Sequence, residues 1–391
     1  VMSSSLYLGC AFGKVDGYKY FFVDASVPVN IHCGYVTLTS LMGGISKHMI
    51  GQTSTSQMIT QLANGTASLD GSSQVYVPDA NTGLAFRAGV GLKYTANEKA
   101  FNGDVLFSIV FNANGGLSEI ALIGDAYMMV KRAERRGASK YVHGTVSILY
   151  DNVEKILDAQ ASCNARFSGT LSGSLWSQVY ISPEEWFIKL GTPSNPASLN
   201  VANLATVNAY LMLGQNLPPM PPPPPQVMQI FNNADLGSQR DDAAIVSGNG
   251  IATGMNFNVA FDKAIEFGRD GRYSIYGIGN AGAGFDMTLY DYGPNAHCSG
   301  SSEQIGLKGW YLNGQLYAYF MLNMGITGRA FGNDFDVSLL NASAALLLQG
   351  KLPKPTFVNG AVALNTQVLG FINVNLNFDF EFGNDCTIIQ G

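Results

Sequence analysis

The sequence predicts an all-β protein: large curved antiparallel sheets of sandwich or open-barrel type, with a few short helices. Three observations point there. Apolar and polar residues alternate with period two along much of the chain. Turn dipeptides, chiefly Asn-Gly, punctuate that alternation. The composition is 47% hydrophobic and 13% charged, with 45 Gly, 18 Tyr and 22 Phe. Globular domains average roughly 25% charged residues, so the deficit argues against an ordinary intracellular enzyme and for a secreted, coat or fibre protein.

From the N-terminus, SQMITQLAN (56–64) is a helix candidate. DVLFSIVFN (104–112) runs into Asn114-Gly115-Gly116 and then LSEIALIG, which reads as a hairpin. HGTVSILY (143–150) and SLWSQVYIS (174–182) are strand candidates. In NVANLATVNAYLML (200–213), Leu204, Val207, Tyr210 and Leu211 fall at helical spacing, so a short helix competes with a strand. GMNFNVAFD (254–262) places Met255, Phe257, Val259 and Phe261 on one strand face. GWYLNGQLYAYF (309–320) carries Asn313-Gly314 between aromatic-rich runs. Asn-Gly tolerates the positive φ of a type I′ turn, so a tight hairpin is expected there. Residues 339–350 suit either state and are assigned to strand by their neighbours. Asn359-Gly360 separates TFV from AVALNTQVLG in the manner of a second such turn.

The strictest alternation is FINVNLNFDFEFG (371–383). Ile372, Val374, Leu376, Phe378, Phe380 and Phe382 share one face, and Asn373, Asn375, Asn377, Asp379 and Glu381 the other. Eleven strand residues span about 36 Å at ~3.3 Å each. Six large apolar side chains in a row predict a dry face, each burial contributing roughly 1.5–3 kcal/mol. A membrane-spanning barrel alternates in the same way with its apolar residues toward lipid. The proline run, the helices and the uneven strand spacing weigh against that arrangement. No stretch of eighteen uninterrupted apolar residues supplies a spanning helix. The expectation is therefore a curved sheet wrapped over its own core. Its edges have few Lys or Glu to block them, which favours polymerisation.

LPPMPPPPPQV (217–227) cannot enter a sheet ladder and predicts an extended polyproline rod. It divides the chain into an N-terminal β-rich half (1–216), a crossover (217–227) and a C-terminal antiparallel half (228–391). The other readings of the run are a flexible hinge, which the stiffness of proline runs disfavours, and a docking motif for an aromatic groove. The chain starts at Val1 without an initiator Met, and the expectation is a piece processed from a longer precursor. The five cysteines, Cys10, Cys33, Cys163, Cys298 and Cys386, lack the C-x-x-C spacing of zinc or redox sites. Cys298 and Cys386 are the preferred disulfide pair; the alternative is that all five are small buried hydrophobes.

Catalytic constellations are weak, and no catalytic residue, cofactor or metal site is assigned. His32, His48, His143 and His297 form no chelating pair by spacing. His297 adjoins Cys298, but adjacency in sequence does not make a Cys–His dyad. GNAGAG (279–284) is followed by a strand pattern, where a dinucleotide loop should open a helix. The acidic pairs Glu184-Glu185, Asp241-Asp242 and Asp334/Asp336 are the sort any large β-protein contains. N-D-F-D (333–336) is too short for a calcium loop and reads as a turn-to-strand junction. Trp176, Trp186, Trp310 and Tyr311 are more often core than sugar platform. Asn64-Gly-Thr66 and Asn341-Ala-Ser343 fit the N-glycosylation sequon. A net charge of −6 gives no electrostatic case for nucleic acid.

Three stretches carry a resemblance. They are EEWFIKLGTPSNP (184–196) with the proline run, GNAGAGFDMTLYDYG through GWYLNGQLYAYF (279–320), and ALLLQGKLPKP through FEFGNDC (345–386). Together they resemble the β-rich portion of long secreted or surface proteins of the Bacteroidota, of the TANFOR-domain type. The resemblance covers roughly residues 180–386. It implies an extracellular, cell-surface or filament context and carries over no catalytic residue. The expected function is a non-catalytic structural subunit of an extracellular filament, tube or surface layer, whose partners are copies of itself. A surface glycan-binding module is the alternative, and a secreted hydrolase the second alternative.

Overall fold

The computed structural model describes residues 6–52, 57–58, 61, 75–135, 138–202, 204–232, 249–268 and 272–389. Strand makes up 71% and helix 4%, so the class is all-β. Two compact units divide the chain, Val1–Ile188 and Lys189–Gly391.

In the first unit lie β1 (Tyr7–Val15), β2 (Tyr18–Cys33), β3 (Val36–Lys47), β4 (Met49–Gly51), β5 (Tyr76–Pro78), β6 (Thr82–Tyr94), β7 (Asn102–Asn112), β8 (Leu117–Met128), β9 (Tyr141–Asp151), β10 (Ile156–Ser168) and β11 (Leu171–Ile181). Strands β1, β2, β3 and β6 to β11 form an antiparallel meander in that order. The short β4 pairs with β5. Strand β12 (Trp186–Leu190) crosses the boundary between the units.

The second unit holds β13 (Ala197–Val201), β14 (Ala205–Gly214), α1 (Pro225–Ile230), β15 (Gly250–Phe267), β16 (Tyr273–Asp291), β17 (His297–Cys298), β18 (Trp310–Ala330), β19 (Asn333–Leu352), β20 (Phe357–Val368), β21 (Ile372–Gly383) and β22 (Ile388–Ile389). Its meander runs β13, β14, β15, β16, β18, β19, β20, β21. A separate small ribbon pairs β17 with β22.

Several local expectations are met. The hairpin at Asn114-Gly115-Gly116 joins β7 to β8. The candidates at 143–150, 174–182, 254–262 and 339–350 lie in β9, β11, β15 and β19. Others are corrected. Asn313-Gly314 lies within the continuous β18, and Asn359-Gly360 within β20; neither pair has positive φ. Asn313 fills a buried polar slot between Thr288 and Lys351. Gly360 leaves room for the Phe380 ring, which a Cβ would meet at 2.4 Å. In both places cross-strand packing overrides turn propensity. The tight turns fall on less obvious pairs, Asp16-Gly17 (φ 45° and 88°) and Leu369-Gly370 (φ 53° and 77°). Residues 205–213 are strand rather than helix, because β14 pairs with β15 along its whole length. The helix candidate at 56–64 lies largely outside the described residues; Gln57, Met58 and Gln61 are helical.

The proline run is not where the chain divides. Residues 217–224 are extended, and α1 begins at Pro225. The segment belongs to the second unit. Val227, Ile230 and Phe231 pack on Tyr317, Tyr319, Ala345, Leu347, Ala361 and Ala363. Gln315 Nε2 donates to Pro221 O at 2.9 Å, and Asn365 Nδ2 to Ile230 O at 3.1 Å. Three buried side chains at roughly 1.5–3 kcal/mol each hold the strap down.

The central correction concerns the faces of the sheets. The six apolar side chains of β21, expected in a dry core, are 40–68% exposed. Register explains it. Phe378 lies opposite Val362, Val362 opposite Leu346, and Leu346 opposite Ala318, so one apolar row crosses four strands on a single open face. The next row is Leu376, Leu364, Ala344 and Phe320. On the other face the corresponding row is Asp286, Gln315 and Gln349, all buried. The first unit repeats the pattern. Phe107 and Ile148 are exposed on a row with Leu122, while the alternate positions carry buried Asp104 and Asp125.

Candidate functional site

Each unit thus presents an exposed apolar face and a polar face, and the polar faces carry built structure. In the first unit, Asn102 and Asp104 on β7, Asp125 and Tyr127 on β8 and His143 on β9 lie on one face by strand alternation. The loop after β8 returns over them. Arg132 Nη1 grips both Asp104 carboxylate oxygens, at 2.8 and 2.6 Å. Arg135 reaches Asp104 at 3.2 Å, Asp125 at 3.5 Å and, through Nε, Asn102 Oδ1 at 2.9 Å. Its guanidinium carbon stands 4.3 Å from the centre of the Tyr127 ring, which stacks on His143 at 4.1 Å. Further along, Arg87 binds the buried Asp24 at 2.6 Å. The ion pairs fasten the loop to the sheet, although Asp125 Oδ1, Arg135 Nη2 and His143 Nε2 are buried without a hydrogen-bond partner among the described residues.

The second unit's polar face holds a cavity of 360 Å³. Its floor is an amide lattice: Asn208 Nδ2 donates to Asn256 Oδ1 at 3.1 Å, and Asn258 Nδ2 to Asn280 Oδ1 at 2.8 Å. Asn258 also donates to the Tyr319 hydroxyl, and Asn256 bonds the Tyr317 phenol. Pro224 and Gln226 from the strap and α1 form the wall.

The apolar faces are extensive. Half-exposed Phe and Leu side chains present about 100 Å² each, so β21 alone shows on the order of 600 Å². That reaches the largest apolar patch of a typical monomer, ~300–600 Å², before the neighbouring strands are added.

The residues singled out in the sequence are placed as follows. Cys298 and Cys386 form a disulfide, with Cα atoms 5.5 Å apart, beside the β17–β22 ribbon. His297 therefore adjoins no free thiol, and its Nδ1 meets Asn295 O at 2.8 Å. Cys10, Cys33 and Cys163 are free. GNAGAG lies inside β16 and opens no helix. Asp334 pairs with Arg329 at 3.7 Å, and Asp336 accepts from Tyr276. Glu184 and Glu185 sit in a turn whose N–H groups donate to Ser182 Oγ. Asp241-Asp242 and Asn64-Gly-Thr66 lie outside the described residues. Tyr311 is buried, whereas Trp186 is exposed. Among the described residues, no group of three His, Cys, Asp or Glu side chains is arranged to hold a metal. Asp104, Asp125 and Arg135 were missed in the sequence. The basic cluster at 131–136 and the acids interrupting apolar strands were the available signals.

No family model, curated protein or solved structure matches this chain.

Proposed function

We propose that this is a non-catalytic structural protein whose apolar sheet faces lie against the acyl chains of a lipid bilayer. One observation carries the reading: large apolar side chains are exposed in continuous rows, while the opposite face is the buried one, held by ion pairs in the first unit and, in the second, by amides beside the small core under α1. That is the reverse of a water-facing sheet and matches the alternation of membrane strands. Length agrees. The apolar rows run from Leu312 to Leu322 on β18 and from Ile372 to Phe382 on β21. Each covers about eleven residues, and a tilted membrane strand needs about 9–11. Among the described residues no helix is long and apolar enough to cross a membrane, so strands would make the contact. A cell-surface location fits this reading.

The test is paired tryptophan substitution on β21, read in vesicles of brominated phosphatidylcholine. Phe378→Trp should add strongly quenched emission, and Asn377→Trp should add emission that is quenched little. Equal quenching of the two, or failure of the protein to float with vesicles, would overturn the reading.

The edge of β21 supports a second property, self-association. Among the described residues β21 is laddered only to β20. Backbone groups left open in lipid cost several kcal/mol each, and an edge of this kind recruits another strand. The partner in this reading is a second copy, giving the tube or filament subunit expected from the sequence. Electron microscopy and native mass of the lipid-embedded protein test it; a monomer at every concentration would count against assembly while leaving the lipid contact standing.

A further inference from the structure

The amide-lined cavity of the second unit is not explained by lipid contact, since it lies on the opposite, polar face of the sheet. We infer that it binds a neutral polyhydroxylated ligand, one or two sugar rings in size, by hydrogen bonds from Asn208, Asn258, Asn280 and Gln226.

The chemistry of the lining narrows the ligand. The polar groups are side-chain amides, phenols and the Thr206 hydroxyl, and among the described residues no Lys, Arg, Asp, Glu or His lines the cavity. A phosphate or carboxylate ligand would find no countercharge there. A lipid or other apolar ligand would cover the Asn280 N–H groups and the Asn208 carbonyl oxygen without bonding them, at ~1–3 kcal/mol for each polar group so covered. Sugar hydroxyls both donate and accept, as do amides. The 360 Å³ volume is at the lower end of small-molecule sites, about 300–1,000 Å³.

The site is also prepared in advance. Tyr317 and Tyr319 cross over β16 to reach Asn256 and Asn258, and they can do so because Gly284 and Gly282 lie beneath them. A Cβ at Gly282 would stand 2.7 Å from the Tyr319 ring, and one at Gly284 2.6 Å from the Tyr317 hydroxyl. The two phenols thereby fix Asn256 and Asn258, which in turn orient Asn208 and Asn280. Both N–H donors of Asn280 and the carbonyl oxygen of Asn208 take no part in this lattice among the described residues. The wall is equally fixed, since Gln226 precedes the fully buried Val227 and the strap is bonded through Pro221 and Ile230. A site held this way loses little conformational entropy when it binds.

Calorimetric titration of the full chain in detergent, with maltose, cellobiose and N,N′-diacetylchitobiose as probes, tests the inference. At least one of the three should bind with a millimolar or tighter Kd. Asn258→Leu, which removes two lattice bonds, should weaken that binding roughly tenfold or more. Gln226→Ala, on the half-exposed wall, should weaken it severalfold at an unchanged melting temperature, which keeps the test valid if Asn258→Leu impairs folding. Glucose 6-phosphate should bind no better than glucose. Absence of heat with all three disaccharides, or binding untouched by Gln226→Ala, would overturn the inference. Neither result bears on vesicle flotation, so this site and the lipid contact stand or fall separately.

Discussion

Asp104 and Asp125 are direct cross-strand partners on β7 and β8, and Arg135 Nη1 stands between them at 3.2 and 3.5 Å. Like charges directly opposite in a sheet are destabilising, so the pair depends on its guanidinium groups. Arg132 serves Asp104 alone, which leaves Arg135 as the only arginine contacting Asp125 among the described residues. Arg135→Met should cost about 3 kcal/mol or more, in the range for breaking a buried ion pair. Adding Asp125→Asn to that variant should recover most of the loss. Denaturant titration of the single and double variants measures both; equal stability of wild type and Arg135→Met would remove the cluster from any structural role.

The face assignment predicts opposite outcomes for neighbouring residues. Leu376→Arg places a charge on the apolar face and should cost on the order of 2–4 kcal/mol of membrane stability if it lies near the bilayer midplane. Asn377→Arg, one residue along on the polar face, should cost little. Vesicle flotation and unfolding in lipid compare them directly.

The disulfide joins residues 88 apart in sequence. Closing so long a loop stabilises by typically ~2–4 kcal/mol. Cys298→Ser should lower stability by about that amount. Hydrogen exchange should speed first at Ile388 and Ile389, whose two-residue ribbon with His297 and Cys298 has little else to hold it.

Asp79, in the turn between β5 and β6, accepts hydrogen bonds from the Thr82 hydroxyl and from the Thr82 and Asn81 amides. The Thr82 hydroxyl, first among these, holds the Asp79 carboxyl below its usual pKa. A depressed carboxylate stabilises above its unfolded pKa, and that contribution is lost as pH falls through the folded value. Thr82→Val should move the Asp79 titration upward, as read by NMR, and should shrink the loss of stability on acidification below about pH 4. An unmoved titration would exclude the hydroxyl as the cause.

The fold class was legible because period two and glycine-rich turns are local signals, and β7, β9, β15 and β21 follow them closely. Which face of a strand meets solvent was not legible. Alternation at Ile372–Phe382 states that two faces differ, and burial of the apolar one follows only if the surrounding medium is water. The same limit hid the inward position of Asn313: an Asn-Gly pair signals a turn until a neighbouring strand supplies a polar slot for the amide. The Cys298–Cys386 pairing was picked out from the sequence, but the Arg135 bridge depends on a loop returning over β7, which no spacing rule reveals. The amide cavity was likewise invisible, since Asn208, Asn258 and Asn280 meet only through strand register.

The row Phe378, Val362, Leu346 and Ala318 also governs how the chain can be prepared. In plain buffer the cheapest shelter for such a flank is an identical flank on another molecule, so dilution from urea should give stacked, insoluble ribbons. Detergent micelles present from the first moment of refolding offer each molecule its own coat, and monodisperse material should be recovered only on that route.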